Sequence, residues 1–340
     1  MNNNSYQVLH CHTKLSDGTL SHREVLDKCR DNNIEVVAFT DHDILMPDKI
    51  IGKLKKLNHP VRFISGIELS ATGIAEVEGG IPLFHIIGLF VDHTNKALQE
   101  FCADARKRRR ERVAFLVNNL TKVGFSITEE EVEKESSEGT IGRPHIVSAL
   151  LKKEENIKVL NATLEQFKQA AERDIALKER YEEATRHDAR SQVFDLFLGD
   201  TPFVPGVYTP YLHETTMDKG VKLIRDAGGI SVLAHPSYYR DKLGANIIEK
   251  FAKENRIDGI ETVYALSPDG KLNDDFRSDT DSFRDIVNRY QLVAGGGGDF
   301  HTPEDFERLR IPANILRMEE TKGFLDRIFA KWPEYRGKVY

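Results

Sequence analysis

The chain has 340 residues, 48 of them basic and 54 acidic, a net charge of −6 at pH 7 and a hydrophobic fraction of 40%. This composition can bury a large core in one big domain or two moderate ones, and it disfavours a disordered chain or a broad nucleic-acid-binding surface. No apolar run reaches membrane-spanning length, Met1 to Ser5 lack the parts of a signal peptide, and Cys11, Cys29 and Cys102 are too scattered for a disulfide framework or a thiolate zinc site, so the expectation is a cytoplasmic chain whose metal ligands would be nitrogen and oxygen.

A first strand ends at Val8-Leu9-His10-Cys11-His12, where alternation puts His10 and His12 on one face and Cys11 on the other. Ser16-Asp17-Gly18 turns the chain and returns Asp17 toward the strand end. Alone, the two histidines fit a structural pair as well as a ligand pair. Ser21 with Glu24 forms a capping box for a helix from His22 to about Arg30. Ile34 to Thr40 is a β-rich run ending in Asp41-His42-Asp43, and a helix follows through Ile51 and Leu57. Val61 to Ile64 reads as a third strand ending at Gly66-Ile67-Glu68, and Leu83 to Leu89 as a fourth carrying His85. Strands alternating with helices, with polar residues at the strand ends, predict a β/α barrel or a doubly wound sheet.

From about Lys96 to His213 the pattern changes to long helical segments, which predicts an inserted helical domain. Its first helix carries an apolar stripe from Leu98 to Leu120, and Arg109 falls on that stripe, where it could face an anion; the surrounding basic run fits a solvated face better. Gly142-Arg143-Pro144-His145 starts a helix, because Pro144 suits a first turn. Arg143 and His145 beside a helix N-terminus fit a phosphate site and a plain capped helix equally. Glu154 to Arg190 reads as charged helix with no assignable chemistry, and 199–208 as a linker back to the main domain.

Thr215 is expected to cap a helix reaching Ala227, followed by a strand Ile230 to Ala234 that ends in His235-Pro236. A helix near Ile247 to Glu254, a strand near Ile257 to Tyr264, a helix from about Ser282 to Tyr290 and a strand Leu292 to Ala294 complete the series. Gly295 to Gly298 then let the backbone enter a crowded centre, delivering Asp299 and His301 on one side. His10, His12, Asp17, His42, Glu68, His85, His235, Asp299 and His301 thus all follow apolar strand-like runs or lie on them. Six imidazoles and three carboxylates converging on one edge would be costly to bury without cations, and their chemistry suits Zn²⁺, Mn²⁺ or Fe²⁺.

With Ser16-Asp17-Gly18, Thr40-Asp41-His42-Asp43, Gly66-Ile67-Glu68, Ala234-His235-Pro236 and Asp299-Phe300-His301 in place, the sequence resembles the polymerase and histidinol phosphatase (PHP) superfamily over about Gln7 to Pro303. Arg143-Pro144-His145 and Leu198 to Pro205 make it similar to the branch containing nucleoside 3′,5′-bisphosphate phosphatases and 5′-to-3′ exoribonucleases. The resemblance implies a distorted (β/α)7 barrel at 5–95 and 214–310, a helical insertion at 96–213 capping the active site, and a segment 311–340 completing the barrel domain. It implies two or three divalent ions: His10, His12, Glu68 and Asp299 for one, Glu68 bridging to a second with His85 and His235, and Asp17, His42 and His301 for a third. Arg143 and His145 would reach onto the phosphate. Ser237-Tyr238-Tyr239-Arg240 departs from the Gly-Arg-Tyr expected of that branch, so Arg240 either substitutes for that arginine or second-phosphate recognition is lost. The implied reaction is hydrolysis of a nucleotide phosphate monoester, a 5′-mononucleotide or a 3′,5′-bisphosphate, by a hydroxide bridging two ions. Short-RNA trimming, histidinol phosphate or cyclic phosphate hydrolysis, and a non-catalytic metal-dependent binding module are the alternatives, with no obligate protein partner or membrane role expected.

Overall fold

The computed structural model describes residues 5–74, 76–77, 83–136, 139–210, 215–239, 243–264 and 274–340. The chain divides into two compact units, Met1–Ala105 with Leu212–Tyr340, and Arg106–Tyr211. The first unit holds a seven-stranded sheet in sequential order: β1 (Tyr6–Val8), β2 (Ile34–Phe39), β3 (Arg62–Ala71), β4 (Phe84–Leu89), β5 (Ile230–Leu233), β6 (Gly259–Val263) and β7 (Val293–Gly296). β1 to β3 are parallel, β4 runs antiparallel to both β3 and β5, and β5 to β7 are again parallel. The reversal of β4 has a chemical consequence. His85 lies at the start of its strand, and only a reversed strand brings that end to the edge where the others finish.

The sheet is not closed into a barrel. Among the described residues no ladder joins β7 to β1; at and beyond the ends of those strands the chain makes Leu9 N–H to Gly296 O (2.7 Å), His12 N–H to Phe300 O (2.8 Å) and an isolated Cys11–Phe300 bridge. The glycine run explains the interruption, since Gly297 adopts φ +133° and a Cβ there would lie 2.9 Å from the Val8 Cα. Backbone meets backbone at that point, which leaves strand geometry behind.

α1 (His22–Asp31) carries the expected capping box of Ser21 and Glu24 and buries Val25, Leu26 and Cys29. α2 (Asp48–Lys55) buries Ile51 and Leu54. β3 is longer than the sequence reading, running through Glu68 to Ala71, because the chain after His42 extends its pairing: Asp43 N–H donates to Glu68 O (2.9 Å), and the buried Asp43 carboxylate accepts from Ser70 N–H (2.7 Å). Cys11 lies buried in the apolar core.

The insertion begins on α3 (Lys96–Lys122), whose stripe is shared between two cores: Leu98, Phe101, Cys102 and Ala105 in the first unit, Val113, Leu116, Val117 and Leu120 in the second. The second unit continues with α4 (Glu129–Glu135), α5 (Arg143–Leu151), α6 (Glu154–Ala171), α7 (Ile175–Ala184), α8 (Ala189–Val193) and a π-helical turn at Phe194–Leu198. The buried Asn156 accepts from Ser126 N–H (2.8 Å) and donates to the Ser126 and Leu150 carbonyls, tying α6 to the chain before α4 and to the end of α5.

Returning to the first unit, α9 (Met217–Asp226) is capped by Thr216 rather than Thr215, whose own carbonyl is taken by Thr72 N–H at 2.7 Å. α10 (Ala245–Lys253) and α11 (Asp274–Tyr290) flank β6, α11 beginning well before the expected Ser282. α12 (Pro303–Glu307), α13 (Pro312–Met318) and α14 (Phe324–Lys331) follow β7, and α14 buries Phe324, Leu325, Ile328 and Phe329 in the main core. The chain ends with Tyr340 exchanging two backbone hydrogen bonds with Phe63 on β3. No helix among the described residues is long and apolar enough to cross a membrane.

Candidate metal centre

Glu68, on the extended part of β3, is 1% exposed and divides the surrounding imidazoles between its two oxygens. Oε2 faces His10 Nε2 (3.3 Å), His12 Nε2 (3.1 Å) and His42 Nδ1 (3.0 Å), while Oε1 faces His85 Nδ1 and His235 Nε2, each at 3.0 Å. Asp299 Oδ1 approaches His10 Nε2 (3.1 Å) and His12 Nε2 (3.0 Å) from the other side. Asp17 sits between His42 Nε2 (3.7 Å) and His301 Nε2 (3.4 Å). Three groups could therefore hold an ion: His10, His12 and Glu68; His42, Glu68 and His85; and His12, Asp17, His42 and His301. All nine residues singled out in the sequence come together here, with His12, His42 and Glu68 each shared between two groups.

The chemistry of the donors fits cations. Asp17 Oδ1, His42 Nδ1, Glu68 Oε2, His85 Nε2, His235 Nδ1 and Asp299 Oδ1 are buried with no hydrogen-bond partner, and ring nitrogens face one another at 3.0 Å between His10 and His12 and at 3.2 Å between His85 and His235. Unpartnered buried acceptors at this density are costly, and a cation among them removes the cost.

Protonation across the cluster follows local charge. Burial pushes His10 down, but Asp299, Glu68 and Glu261 outweigh it and hold the ring well above its usual range. Burial likewise opposes His301, which Asp299 and Asp17 raise to about 10. At His42 burial wins and pushes the imidazole down to about 3. Asp17, Glu68 and Asp299 are held below the carboxylate range against their burial by the neighbouring histidines.

Sequence reasoning missed the residues behind these nine. Asp41, 4% exposed, accepts from Thr13 N–H (2.8 Å), Thr13 Oγ1–H (2.8 Å) and Ser16 Oγ–H (2.7 Å), and Ser16 Oγ is 3.3 Å from His12 Nδ1. Glu261 on β6 touches His10 and His235. Its signal was present: a carboxylate inside an otherwise apolar strand needs a partner. Backbone strain gathers at the same place, with non-glycine φ of +51° at Asp43, +29° at His235 and +53° at Asp299.

In the second unit, Arg143 opens α5 and donates Nη1–H to the Leu198 carbonyl (2.9 Å). Its guanidinium lies 5.5 Å from the Tyr208 ring, and Arg112, which the sequence reading did not single out, lies 5.4 Å from that ring. Tyr208 Oη–H donates to Asp200 (2.5 Å). Burial together with Arg143 and Arg109 pulls the Arg112 guanidinium down to about 10, a sign of crowded positive charge. Arg109 comes within 3.5 Å of where a Gly142 Cβ would stand. His145 is buried and accepts from Gly142 N–H at Nδ1 (3.0 Å), so one ring nitrogen serves the helix cap. Arg240 lies outside the described residues.

The PHP domain family matches residues 9–197. The chain belongs to the PHP domain family. This PHP protein is 23% identical over 330 residues to the 5′-3′ exoribonuclease Rnm of Escherichia coli (strain K12), covering 93% of this chain and 94% of the relative. It is 26% identical over 297 residues to a phosphoribosyl 1,2-cyclic phosphate 1,2-diphosphodiesterase of Eggerthella lenta, at 86% and 93% coverage. A third relative, the 3′,5′-nucleoside bisphosphate phosphatase of Chromobacterium violaceum, is 25% identical over 299 residues, with 87% of each chain covered. Among solved structures, a chain from Bifidobacterium adolescentis assigned as a metal-dependent phosphoesterase superposes with a TM-score of 0.63 at 22% identity over 88% of each chain, a likeness of fold. As an enzyme, this PHP protein is a metal-dependent phosphoester hydrolase, the class shared by the named relatives.

Proposed function

We propose that this PHP protein hydrolyses phosphate monoesters of nucleotides, a 5′-mononucleotide or a nucleoside 3′,5′-bisphosphate, at a centre of two or three divalent ions of Mn, Fe or Zn. The observation that carries the reading is Glu68, whose two oxygens face separate sets of imidazoles, the arrangement a bridging ligand needs. His10, His12, Glu68 and Asp299 would hold one ion, Glu68, His85 and His235 a second, and Asp17, His42 and His301 a third. Bound ions supply a nucleophile at neutral pH, lowering the pKa of water from about 15.7 to about 7. The protein's own part is to fix the ligands rigidly on strand ends and to exclude bulk water, since His10, His12 and Glu68 are at most 1% exposed. The isolated backbone bridge between Cys11 and Phe300 supports reading the sheet as a distorted barrel whose open seam carries His10, His12, Asp299 and His301.

Arg143 and His145 are proposed as phosphate ligands, with Arg109 a further cation beside Gly142; Arg240 is proposed as a substrate contact on its motif alone. Trimming of short RNA from the 5′ end at the same centre is the second reading, favoured by the exoribonuclease relative that matches nearly end to end. The test is phosphate release from adenosine 3′,5′-bisphosphate, 5′-mononucleotides, histidinol phosphate, a 1,2-cyclic phosphate and short 5′-phosphorylated RNA, after loading with each metal. Preferred turnover of a mononucleotide or bisphosphate supports the reading. A rate on RNA at least tenfold above every small substrate would replace it with the second.

A further inference from the structure

We propose that Glu261 is a positioning residue that couples two of the ligand sets, fixing the ring of His10 and the backbone of His235 with one carboxylate. This rests on the reading of the cluster as a metal centre. Glu261 is 2% exposed, on the apolar strand β6, and each of its oxygens has a separate task. Oε1 is 3.1 Å from His10 Nδ1, and Oε2 accepts from the His235 backbone N–H at 2.6 Å. Glu261 is thus absent from the nine ligand-type residues yet touches a member of each set facing the Glu68 oxygens.

The first contact decides a tautomer. With a cation among His12, Glu68 and Asp299, His10 would give up the proton on Nε2, and Glu261 Oε1 beside Nδ1 would accept from the proton that remains, so that Nε2 is the ligand atom. The second contact holds a strained backbone. His235 sits at φ +29°, where a β-carbon is disfavoured, and the residue after it is Pro236, which restricts it further. A short charge-assisted bond to its N–H offsets that strain and aims Nε2 at Glu68.

The local fold is built to admit this carboxylate. The β6–β7 register slips between Glu261, which pairs with Gly295, and Val263, which pairs with Gly296; such an irregularity re-aims a side chain. Gly296 has φ +108°, and a Cβ there would collide first with the Val263 carbonyl oxygen and would also stand 2.7 Å from Glu261 Cγ and 2.9 Å from its Oε1. Part of the glycine run therefore makes room for Glu261, beyond the close approach to Val8.

Glu261→Gln separates this role from a purely structural one. The amide keeps shape but has one acceptor where two donors, His10 Nδ1–H and His235 N–H, require one each. Its NH2 either faces the His235 N–H or drives the His10 proton to Nε2, which disarms the ligand atom. After chelation and reloading with Mn²⁺, E261Q is expected to bind metal about 10- to 100-fold more weakly than wild type, with kcat reduced and KM within about twofold, together with a small drop in the metal-free melting temperature from the lost His235 contact. Wild-type Mn²⁺ affinity and stoichiometry in a folded E261Q would overturn the role of Glu261, as would unchanged affinity with a lowered metal-free melting temperature. A wild-type chain that binds no metal would instead overturn the metal reading itself. Should E261Q not fold, long-range ¹H–¹⁵N NMR on the Zn²⁺-loaded wild type decides: protonation of His10 at Nδ1 is expected, and protonation at Nε2 refutes the proposal.

Discussion

Replacing Asp41 by alanine should destabilise the first unit and weaken its metal binding together. The carboxylate accepts three hydrogen bonds, from Thr13 N–H, Thr13 Oγ1–H and Ser16 Oγ–H, all at 2.7–2.8 Å and all inside the turn that carries Asp17. Hydrogen bonds to a charged group contribute about 1.5–3 kcal/mol each, and a buried donor left without a partner costs about 1–3 kcal/mol. The two hydroxyls can turn to other acceptors, and Thr13 Oγ1 keeps Leu15 N–H at 3.1 Å, so the sum is not additive. The Thr13 N–H cannot rotate. A net loss of about 3–5 kcal/mol is expected, read in urea as a lower midpoint at unchanged m-value on metal-free protein. Because Ser16 Oγ also meets His12 Nδ1 at 3.3 Å, metal affinity should fall about tenfold. A change below about 0.5 kcal/mol, within the range of an ordinary surface substitution, would refute the reasoning.

Arg143→Ala should leave metal content at the wild-type level and lower kcat/KM on the best substrate by at least about tenfold, since a hydrogen bond to a charged group contributes about 1.5–3 kcal/mol and tenfold corresponds to about 1.4 kcal/mol; unchanged kinetics on the preferred substrate would remove Arg143 from the phosphate site. Asp258→Asn should show a stability deficit that depends on pH. Burial raises the Asp258 carboxyl, but hydrogen bonds from Arg225 and Ser231 outweigh it and hold it below the ordinary 3.8, so the folded state binds this proton less readily than the unfolded one. Its contribution is complete above that value and disappears as pH falls through the depressed one; a deficit as large at pH 3 as at pH 7 in urea titrations would contradict this. Gly296→Ala introduces a side chain at φ +108° against the Val263 carbonyl and Glu261 and should lower the thermal midpoint and metal occupancy together, whereas wild-type behaviour would show that the glycine is dispensable.

Much of this organisation is visible in sequence because each element announces itself locally. Ser21 with Glu24 marks the start of α1, Pro144 the first turn of α5, and the alternation of His10-Cys11-His12 separates two polar side chains from one apolar one. The convergence of nine residues was legible for a different reason: ligand-type side chains recurred on or beyond apolar runs that could only be strands. What stayed hidden depends on pairing across the chain. The antiparallel sense of β4 is set by its partners, and the extension of β3 through Glu68 by Asp43, neither of which periodicity reveals. Asp41 and Glu261 bond to groups 25 or more residues away, so sequence could flag them only as buried charge awaiting a partner. The open seam between β1 and β7 follows from the positive φ values of a glycine run that composition marks as permissive without saying which way it bends.

The central claim is that Glu68 bridges ions in a phosphoesterase centre. Metal content per chain, measured on wild type and Glu68→Ala after identical loading and paired with phosphate release on the best substrate, tests it most directly. The account predicts two or three ions in wild type, fewer in the variant, and loss of turnover with them. A folded Glu68→Ala chain with full metal content and full activity would contradict it.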